Sequence, residues 1–174
     1  MSEPGKVLTI RAAVRGDVAV VLQFIRGLAA YEKLLPECEA TEEKLAATLF
    51  GSRPGAEVIL ALRGDSPAGF ALFFHNYSTF LAMPGLYLED LFVNPAHRGS
   101  GVGQALLAHL AQLAVSRGCG RFEWSVLDWN TDAIRFYERL GARAMNDWTV
   151  YRVSGQALAE LASHAAGKSA PDPQ

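Results

Sequence analysis

A strand, a glycine-rich loop, a helix and a second strand follow one another in the second half of the chain and constrain the fold more than any other segment. Residues 86–93 form an apolar run that we predict to be a strand buried on both faces, although Glu89 and Asp90 stand in its middle. The helix is predicted over 101–116, where Ala and Leu predominate, and the second strand over 121–127. Two strands joined through one helix run parallel with a right-handed connection. The chain is therefore predicted to fold around an α/β sheet.

The rest of the chain alternates between helical and strand spacing of its apolar residues. Asp17 and Thr41 are the predicted N-caps of two helices, because Asp and Thr side chains accept hydrogen bonds from a helix's first turn. The remaining predicted elements are strands over 7–12, 57–63 and 69–77, helices over 17–31, 41–50 and 131–140, a last pair of strands over 142–146 and 148–153, and a final helix over 154–165. Hairpins beside one parallel unit make a mixed, mostly antiparallel sheet flanked by helices.

The composition excludes several classes of protein. The chain has 174 residues and is 50% hydrophobic, which rules out wholesale disorder and leaves room for one domain. We predict this domain over 7–165, between a flexible lead at 1–6 and a disordered tail at 166–174. The 16 Lys and Arg face 18 Asp and Glu, so the basic balance of a nucleic-acid binder is missing.

No membrane-spanning or secretory segment is recognised in the sequence. The apolar runs are broken by charge or Gly well before the ~20 residues that a membrane span needs. The first residues contain no apolar stretch of the kind that signal peptides carry. Cys38 and Cys119 alone cannot form a disulfide framework. We therefore expect a cytoplasmic protein that binds neither membrane nor nucleic acid.

The glycine-rich loop is the segment in which we expect the chemistry. Gly99, Gly101 and Gly103 stand at every second position where the helix begins, and a helix N-terminus binds anions through its unpaired N–H groups and its dipole. Arg98 adds a positive charge beside them, so a pyrophosphate is the predicted ligand. A Walker loop needs Lys after its last glycine, where this chain has Gln104. A dinucleotide fingerprint needs a third glycine at Gln104 when counted from Gly99, or at Leu106 when counted from Gly101, so neither motif fits. A turn that merely begins the helix is the alternative.

The segment Arg98-Gly99-Ser100-Gly101-Val102-Gly103 resembles the (Gln/Arg)-x-x-Gly-x-(Gly/Ala) acyl-CoA loop of the GNAT N-acetyltransferase superfamily. Further segments are similar to its diamine acetyltransferase branch, which holds spermidine/spermine and thialysine acetyltransferases. These segments are 10–13, 28–34, 86–93, 126–130 and 136–142, and the similarity runs from about residue 7 to residue 162. The resemblance implies a single-domain GNAT fold in which a splayed strand pair binds acyl-CoA, with acetyl-CoA as co-substrate.

The resemblance also implies where the acyl-CoA lies. The strand before the loop pairs its main chain with the pantetheine arm, and the amide of Val93 polarises the thioester carbonyl. The loop amides then hold the pyrophosphate. The implied cofactor-binding residues are Leu91, Phe92, Val93, Arg98, Gly99, Ser100, Gly101, Val102, Gly103, Gln104, Asn130, Ala133 and Tyr137.

Two residues are predicted to move protons when an amine attacks the thioester. An alkylamine has a pKa of about 10.4, so only about 1 molecule in 2,500 is neutral at pH 7 and a proton acceptor is needed. Glu89, expected to be buried in its strand, is the candidate base or water-positioning residue, and a structural pair with an arginine is the alternative. The resemblance makes Tyr137 the general acid that protonates the departing thiolate. Periodicity alone would make Tyr137 a packed aromatic.

The substrate side is predicted to combine carboxylates with aromatic faces, as a cationic amine requires. The candidates are Tyr31, Glu32, Glu89, Asp90, Glu123, Trp124, Ser125 and Asp128. They fit a diamine, a polyamine or a thialysine-like amino acid, and the thialysine-type resemblance in 28–34 and 126–130 is slightly the better one. A protein or peptide N-acetyltransferase and a non-catalytic acyl-CoA-binding module are the alternatives.

Two further expectations concern metals and partners. His75, His97, His109 and His164 lie in separate segments without ligand spacing, so we expect no metal. The resemblance also implies a homodimer.

Overall fold

The structure is a computed structural model that describes residues 7–165. Its strands are β1 (Leu8–Ala12), β2 (Glu57–Arg63), β3 (Ser66–Ser78), β4 (Met83–Val93) and β5 (Arg121–Trp124). Its α-helices are α1 (Val18–Tyr31), α2 (Glu42–Leu49), α3 (Val102–Ser116), α4 (Thr131–Arg139) and α5 (Gly155–Ser163). None of the helices within residues 7–165 has the length and the apolar composition that crossing a membrane requires.

The five strands form one sheet in the order β1-β2-β3-β4-β5. The first three pairings are antiparallel, and β4 and β5 are parallel because α3 connects them. The prediction of an α/β fold with a mixed, mostly antiparallel sheet is confirmed. The predicted hairpin over 57–77 is confirmed as well, and Gly64 turns it with a φ of 58°.

The chain divides into two compact units, Met1–Ser125 and Val126–Gln174. The first unit holds the whole sheet and α1 to α3, and the second holds α4 and α5. The single domain predicted over 7–165 stays a prediction. The predicted lead at 1–6 and tail at 166–174 lie outside the described residues.

The core of the first unit forms where α1 packs on the sheet. Val21 and Phe24 of α1 are buried against Leu60, Phe70 and Phe92 of the strands. The Phe24 ring lies parallel to the Phe70 ring, with centroids 5.5 Å apart. Burying a side chain of this size contributes roughly 1.5–3 kcal/mol, so this cluster fixes α1 firmly on β4.

A β-bulge interrupts β4 at the pair of acids. Asp90 lies opposite Leu72 of β3 and Leu88 lies opposite Phe73, so Glu89 is the extra residue. Residues two apart normally share a face of a sheet, but the bulge turns Leu88 and Asp90 to opposite faces. The apolar run alone predicted one uninterrupted strand and could not reveal this change of face.

Two predicted strands are absent from the second unit. The prediction of strands over 142–146 and 148–153 is wrong, since the structure gives neither segment strand pairing. An alternating apolar pattern stabilises a strand only where another strand supplies hydrogen bonds and a packed face, and Trp148 and Tyr151 are instead 71% and 91% exposed. The strand predicted over 121–127 ends at Trp124.

Candidate active site

The loop between β4 and α3 is shaped by two glycines in the left-handed region. Gly99 has a φ of 72° and Gly101 has a φ of 84°. Residues that carry a Cβ rarely adopt this backbone conformation. The hydroxyl of Ser100 donates to the carbonyl of His97 at 2.6 Å and closes the turn. A Cβ added at either glycine would meet open space. The α3 N-terminus therefore has room for an anion at its unpaired N–H groups.

Two arginines hold this loop in place. The Arg63 Nη2 group at the end of β2 donates to the carbonyl oxygen of Ser100 at 2.8 Å. The Arg98 Nε group donates to the carbonyl oxygen of Val93 at 3.2 Å. The Arg98 guanidinium also lies 4.8 Å from the ring centroid of Tyr31 and 5.6 Å from that of Phe92. Arg98 therefore joins the end of α1 to β4, beyond the role of a charge beside the loop that the sequence predicted.

The edge of β4 that faces β5 is paired over only part of its length. The parallel pairing covers Gly85–Leu88 of β4, and β4 continues beyond it to Val93. The Asn94 N–H donates to the Ala68 carbonyl at 2.9 Å. Because successive residues of a strand turn their N–H groups to opposite edges, the Val93 N–H points away from β3. This geometry fits a pantetheine arm lying along β4 after the strands separate.

Three carboxylates gather where α1 ends near the bulge. Burial, followed by the charges of Glu89 and Glu32, raises the pKa of the half-buried Asp90 carboxyl to about 6. Burial also raises the pKa of Glu32. None of the ion pairs within residues 7–165 involves any of the three. We call these three residues the acidic cluster.

The acidic cluster differs in one respect from the prediction. Glu89 was expected to be buried and is exposed, because it is the bulged residue, and Asp90 is the half-buried acid. The alternative in which Glu89 pairs with an arginine is not what the described residues show. A half-buried carboxylate without a counter-charge is unfavourable, and a bound cation would relieve that cost.

The predicted substrate residues on β5 and directly after it have partners of their own. Glu123 forms an ion pair with Arg121 at 2.8 Å and accepts a hydrogen bond from the Asn76 amide at 3.1 Å. The Ser125 hydroxyl lies 2.7 Å from the Tyr87 hydroxyl. Trp124 packs on Phe122, with ring centroids 4.9 Å apart. The charge of Glu123 is already compensated, so this carboxylate is less suited than Asp90 to attract a cation. The substrate-binding role of 123–125 stays a prediction.

The second unit carries the remaining predicted residues. The Asn130 side chain accepts a hydrogen bond from the Ala133 N–H at 3.3 Å and caps α4. The half-buried Tyr137 ring lies beside Phe136, with centroids 5.4 Å apart, and Asp128 is exposed. The roles of Asn130, Ala133, Tyr137 and Asp128 stay predictions.

The described part of the chain contains no group of three or more His, Cys, Asp and Glu side chains that could hold a metal ion.

Arg63 contacts the glycine-rich loop and was not predicted from the sequence. No spacing rule connects residue 63 with residue 100, so only the folded chain could reveal this contact.

The family profile and the curated relatives reported below make this chain an acetyl-transferring enzyme, and the fold and the site described above fit that class. The chain belongs to the acetyltransferase (GNAT) family, whose sequence profile matches residues 27–142.

Two curated relatives and one solved structure are similar to the chain over most of its length. The thialysine N-epsilon-acetyltransferase of Sus scrofa is 38% identical, covering 88% of this chain and 96% of the relative. The L-ornithine N5-acetyltransferase of Arabidopsis thaliana is 36% identical, covering 86% and 85%. An integron cassette protein from the mobile metagenome of V. cholerae is 28% identical, with a TM-score of 0.77 over 91% of this chain and 99% of that one. The assignment to the diamine acetyltransferase branch is confirmed.

Proposed function

We propose that the enzyme transfers acetyl from acetyl-CoA to the primary amine of a small cationic substrate, best a thialysine-like or ornithine-like amino acid, by direct attack in a ternary complex. The observation that carries this proposal is the acidic cluster, whose half-buried Asp90 has no ion-pair partner among residues 7–165. Polyamines and diamines share the cationic amine and remain within the proposed class. The names of the pig and Arabidopsis relatives favour the amino acids.

Acetyl-CoA is the co-substrate of the family, and the residues present fit it. The open, positive-φ glycines at 99 and 101 and the start of α3 would hold the diphosphate. The main chain of 91–93 would lie along the pantetheine arm. The Val93 N–H would donate to the thioester carbonyl oxygen, where negative charge develops as the amine attacks.

Proton transfer is assigned to the carboxylates and to Tyr137. The amine nitrogen bonds to the acetyl carbon, the carbon–sulfur bond breaks, and the nitrogen loses a proton. Asp90 is the better acceptor for that proton, because a carboxyl with a pKa of about 6 holds a proton more readily than an ordinary one. Glu89, exposed at the bulge, would bind the ammonium group or a bridging water. Tyr137 would protonate the thiolate, a role that the resemblance to the diamine acetyltransferases supports.

The test is a panel of amines incubated with acetyl-CoA and the enzyme, with products read by mass spectrometry. The panel contains thialysine, ornithine, lysine, putrescine, spermidine and a basic peptide. The proposal expects a mass increase of one acetyl group on thialysine or ornithine, and a D90N variant that loses most of this activity. Acetylation of the peptide alone would favour a protein N-acetyltransferase. Binding of CoA in calorimetry without turnover of any amine would favour a non-catalytic binding module.

We further propose that the enzyme is a cytoplasmic homodimer. The segment 145–153 leaves large apolar side chains exposed: Met145, Trp148, Val150, Tyr151 and Val153. A cluster of such side chains is typical of an interaction surface. The resemblance supports a second copy of the chain as the partner, and light scattering on the purified protein tests it: a monomeric mass would contradict this part of the proposal.

A further inference from the structure

Arg63 reaches from the sheet to the loop that we assign to the diphosphate. Its Nη2 group donates to the Ser100 carbonyl oxygen at 2.8 Å, although 37 residues separate the two along the chain. Ser100 stands between Gly99 and Gly101, which both have positive φ. A loop with two glycines has access to many backbone conformations, so a contact from outside the loop adds to the Ser100–His97 hydrogen bond in selecting one.

The contact also sets the direction of an N–H group. A trans peptide unit is planar, and its C=O and N–H bonds point in opposite directions. The described residues contain no cis peptide bond. Since the Ser100 carbonyl points toward Arg63, the N–H of Gly101 must point away from Arg63. Gly101 is the N-cap of α3, and its N–H is one of the four that a helix leaves unpaired.

We propose that Arg63 is a positioning residue for the diphosphate of acetyl-CoA. Arg63 holds the peptide between Ser100 and Gly101 so that the Gly101 N–H is already turned to receive the anion. Without this hydrogen bond the peptide unit can rotate. Binding of the co-substrate must then order it, and this lowers the affinity. The inference rests on the proposed function, because it concerns the same diphosphate site.

The test compares co-substrates that contain or lack the diphosphate. Arg63→Met keeps the length of the side chain and removes its donors, and Arg63→Lys keeps a donor and the charge. Arg53→Met is the matched control, since Arg53 is exposed before β2 and its loss changes the net charge equally. The CoA Kd is measured by calorimetry, and kinetics are measured with acetyl-CoA and with S-acetylpantetheine, which carries the thioester but no diphosphate.

The expected result is a loss of affinity that is confined to co-substrates containing the diphosphate. R63M should raise the CoA Kd and the acetyl-CoA KM about tenfold, equivalent to about 1.4 kcal/mol, while kcat at saturation stays within about twofold. Its kcat/KM for S-acetylpantetheine should match the wild type. R63K should recover most of the affinity, and R53M should behave as the wild type.

Three results would overturn the inference. The first is an R63M variant that binds CoA as tightly as the wild type. The second is an R63M variant whose kcat/KM falls as much with S-acetylpantetheine as with acetyl-CoA, and the third is an R53M variant that loses as much CoA affinity as R63M. A wild-type protein that does not bind CoA would instead contradict the proposed function. Thermal unfolding without ligand checks the fold of each variant. If R63M does not fold, R63Q replaces it with the same expectation, because the shorter amide cannot reach the carbonyl.

Discussion

Replacing Asp90 with Asn should stabilise the folded enzyme while it weakens acetyl transfer. The carboxyl of Asp90 is half-buried, and its pKa is raised to about 6, first by burial and then by the charges of Glu89 and Glu32. At neutral pH the group is mostly ionised, so the folded state carries a poorly solvated negative charge. Asn has nearly the same shape without the charge, and D90N therefore removes an unfavourable contribution to folding.

The pKa gives the size and sign of this effect. A rise from 3.8 to about 6 is about two pKa units, which corresponds to about 3 kcal/mol. The folded state binds this proton more tightly than the unfolded state, so the wild type loses stability relative to D90N as the pH rises from about 4 to about 6. The difference is nearly complete at pH 7, and about half of it remains at pH 5.

Urea unfolding of the wild type, D90N and E89Q between pH 5 and pH 8 measures the difference. E89Q is the matched control, because the exposed Glu89 is only the second cause of the pKa rise and its removal should stabilise the protein less. The reasoning is refuted if D90N is no more stable than the wild type at pH 8. A stability difference that does not change with pH would refute it equally.

Three further changes test the loop, the general acid and the fold. Gly101→Val should raise the acetyl-CoA KM at least about tenfold, because a φ of 84° strains a β-branched residue by about 1–3 kcal/mol, and an unchanged KM in steady-state kinetics would contradict the loop assignment. Tyr137→Phe should lower kcat by about 10²–10⁴ with little change in either KM, and a fully active variant would remove the general-acid role. Asp17→Ala should destabilise the protein by about 1–3 kcal/mol at pH 7, because the carboxylate accepts hydrogen bonds from Arg11 and from the Val14 N–H. The Arg11 hydrogen bond lowers the pKa of Asp17, so this stabilisation shrinks progressively as the pH falls below the ordinary Asp value of 3.8, and a denaturation difference as large at pH 3 as at pH 7 would contradict the assignment.

Sequence patterns were sufficient where neighbouring residues determine the structure. The apolar run at 57–63 lies between Gly and Pro turn signals, and β2 has these same bounds. The helical spacing after Asp17 predicted α1, and the Ala- and Leu-rich stretch over 101–116 predicted α3, which begins one residue later at Val102. The glycine-rich loop before α3 was predictable for the same reason, since its glycines, its arginine and its helix are consecutive in the chain.

Sequence patterns failed where the outcome depends on a distant partner. The apolar alternation over 142–153 predicted two strands, but strands need hydrogen-bonded neighbours, and these residues have none in the described chain. The acids of β4 were predicted from their charge, while their burial depends on how β4 aligns with β3. The shift in pairing beside Leu72 leaves Glu89 exposed and Asp90 half-buried.

The order of elements, the glycine-rich loop and the acidic residues of β4 are encoded in short stretches of sequence, because hydrophobic spacing, glycine conformation and charge act over a few residues. The half-buried position of Asp90, the open edge of β4 and the contact from Arg63 to Ser100 arise only when strands and loops distant in the chain come together. The physical reason is that burial and hydrogen-bond pairing belong to pairs of segments, and the pattern of one segment does not name its partner.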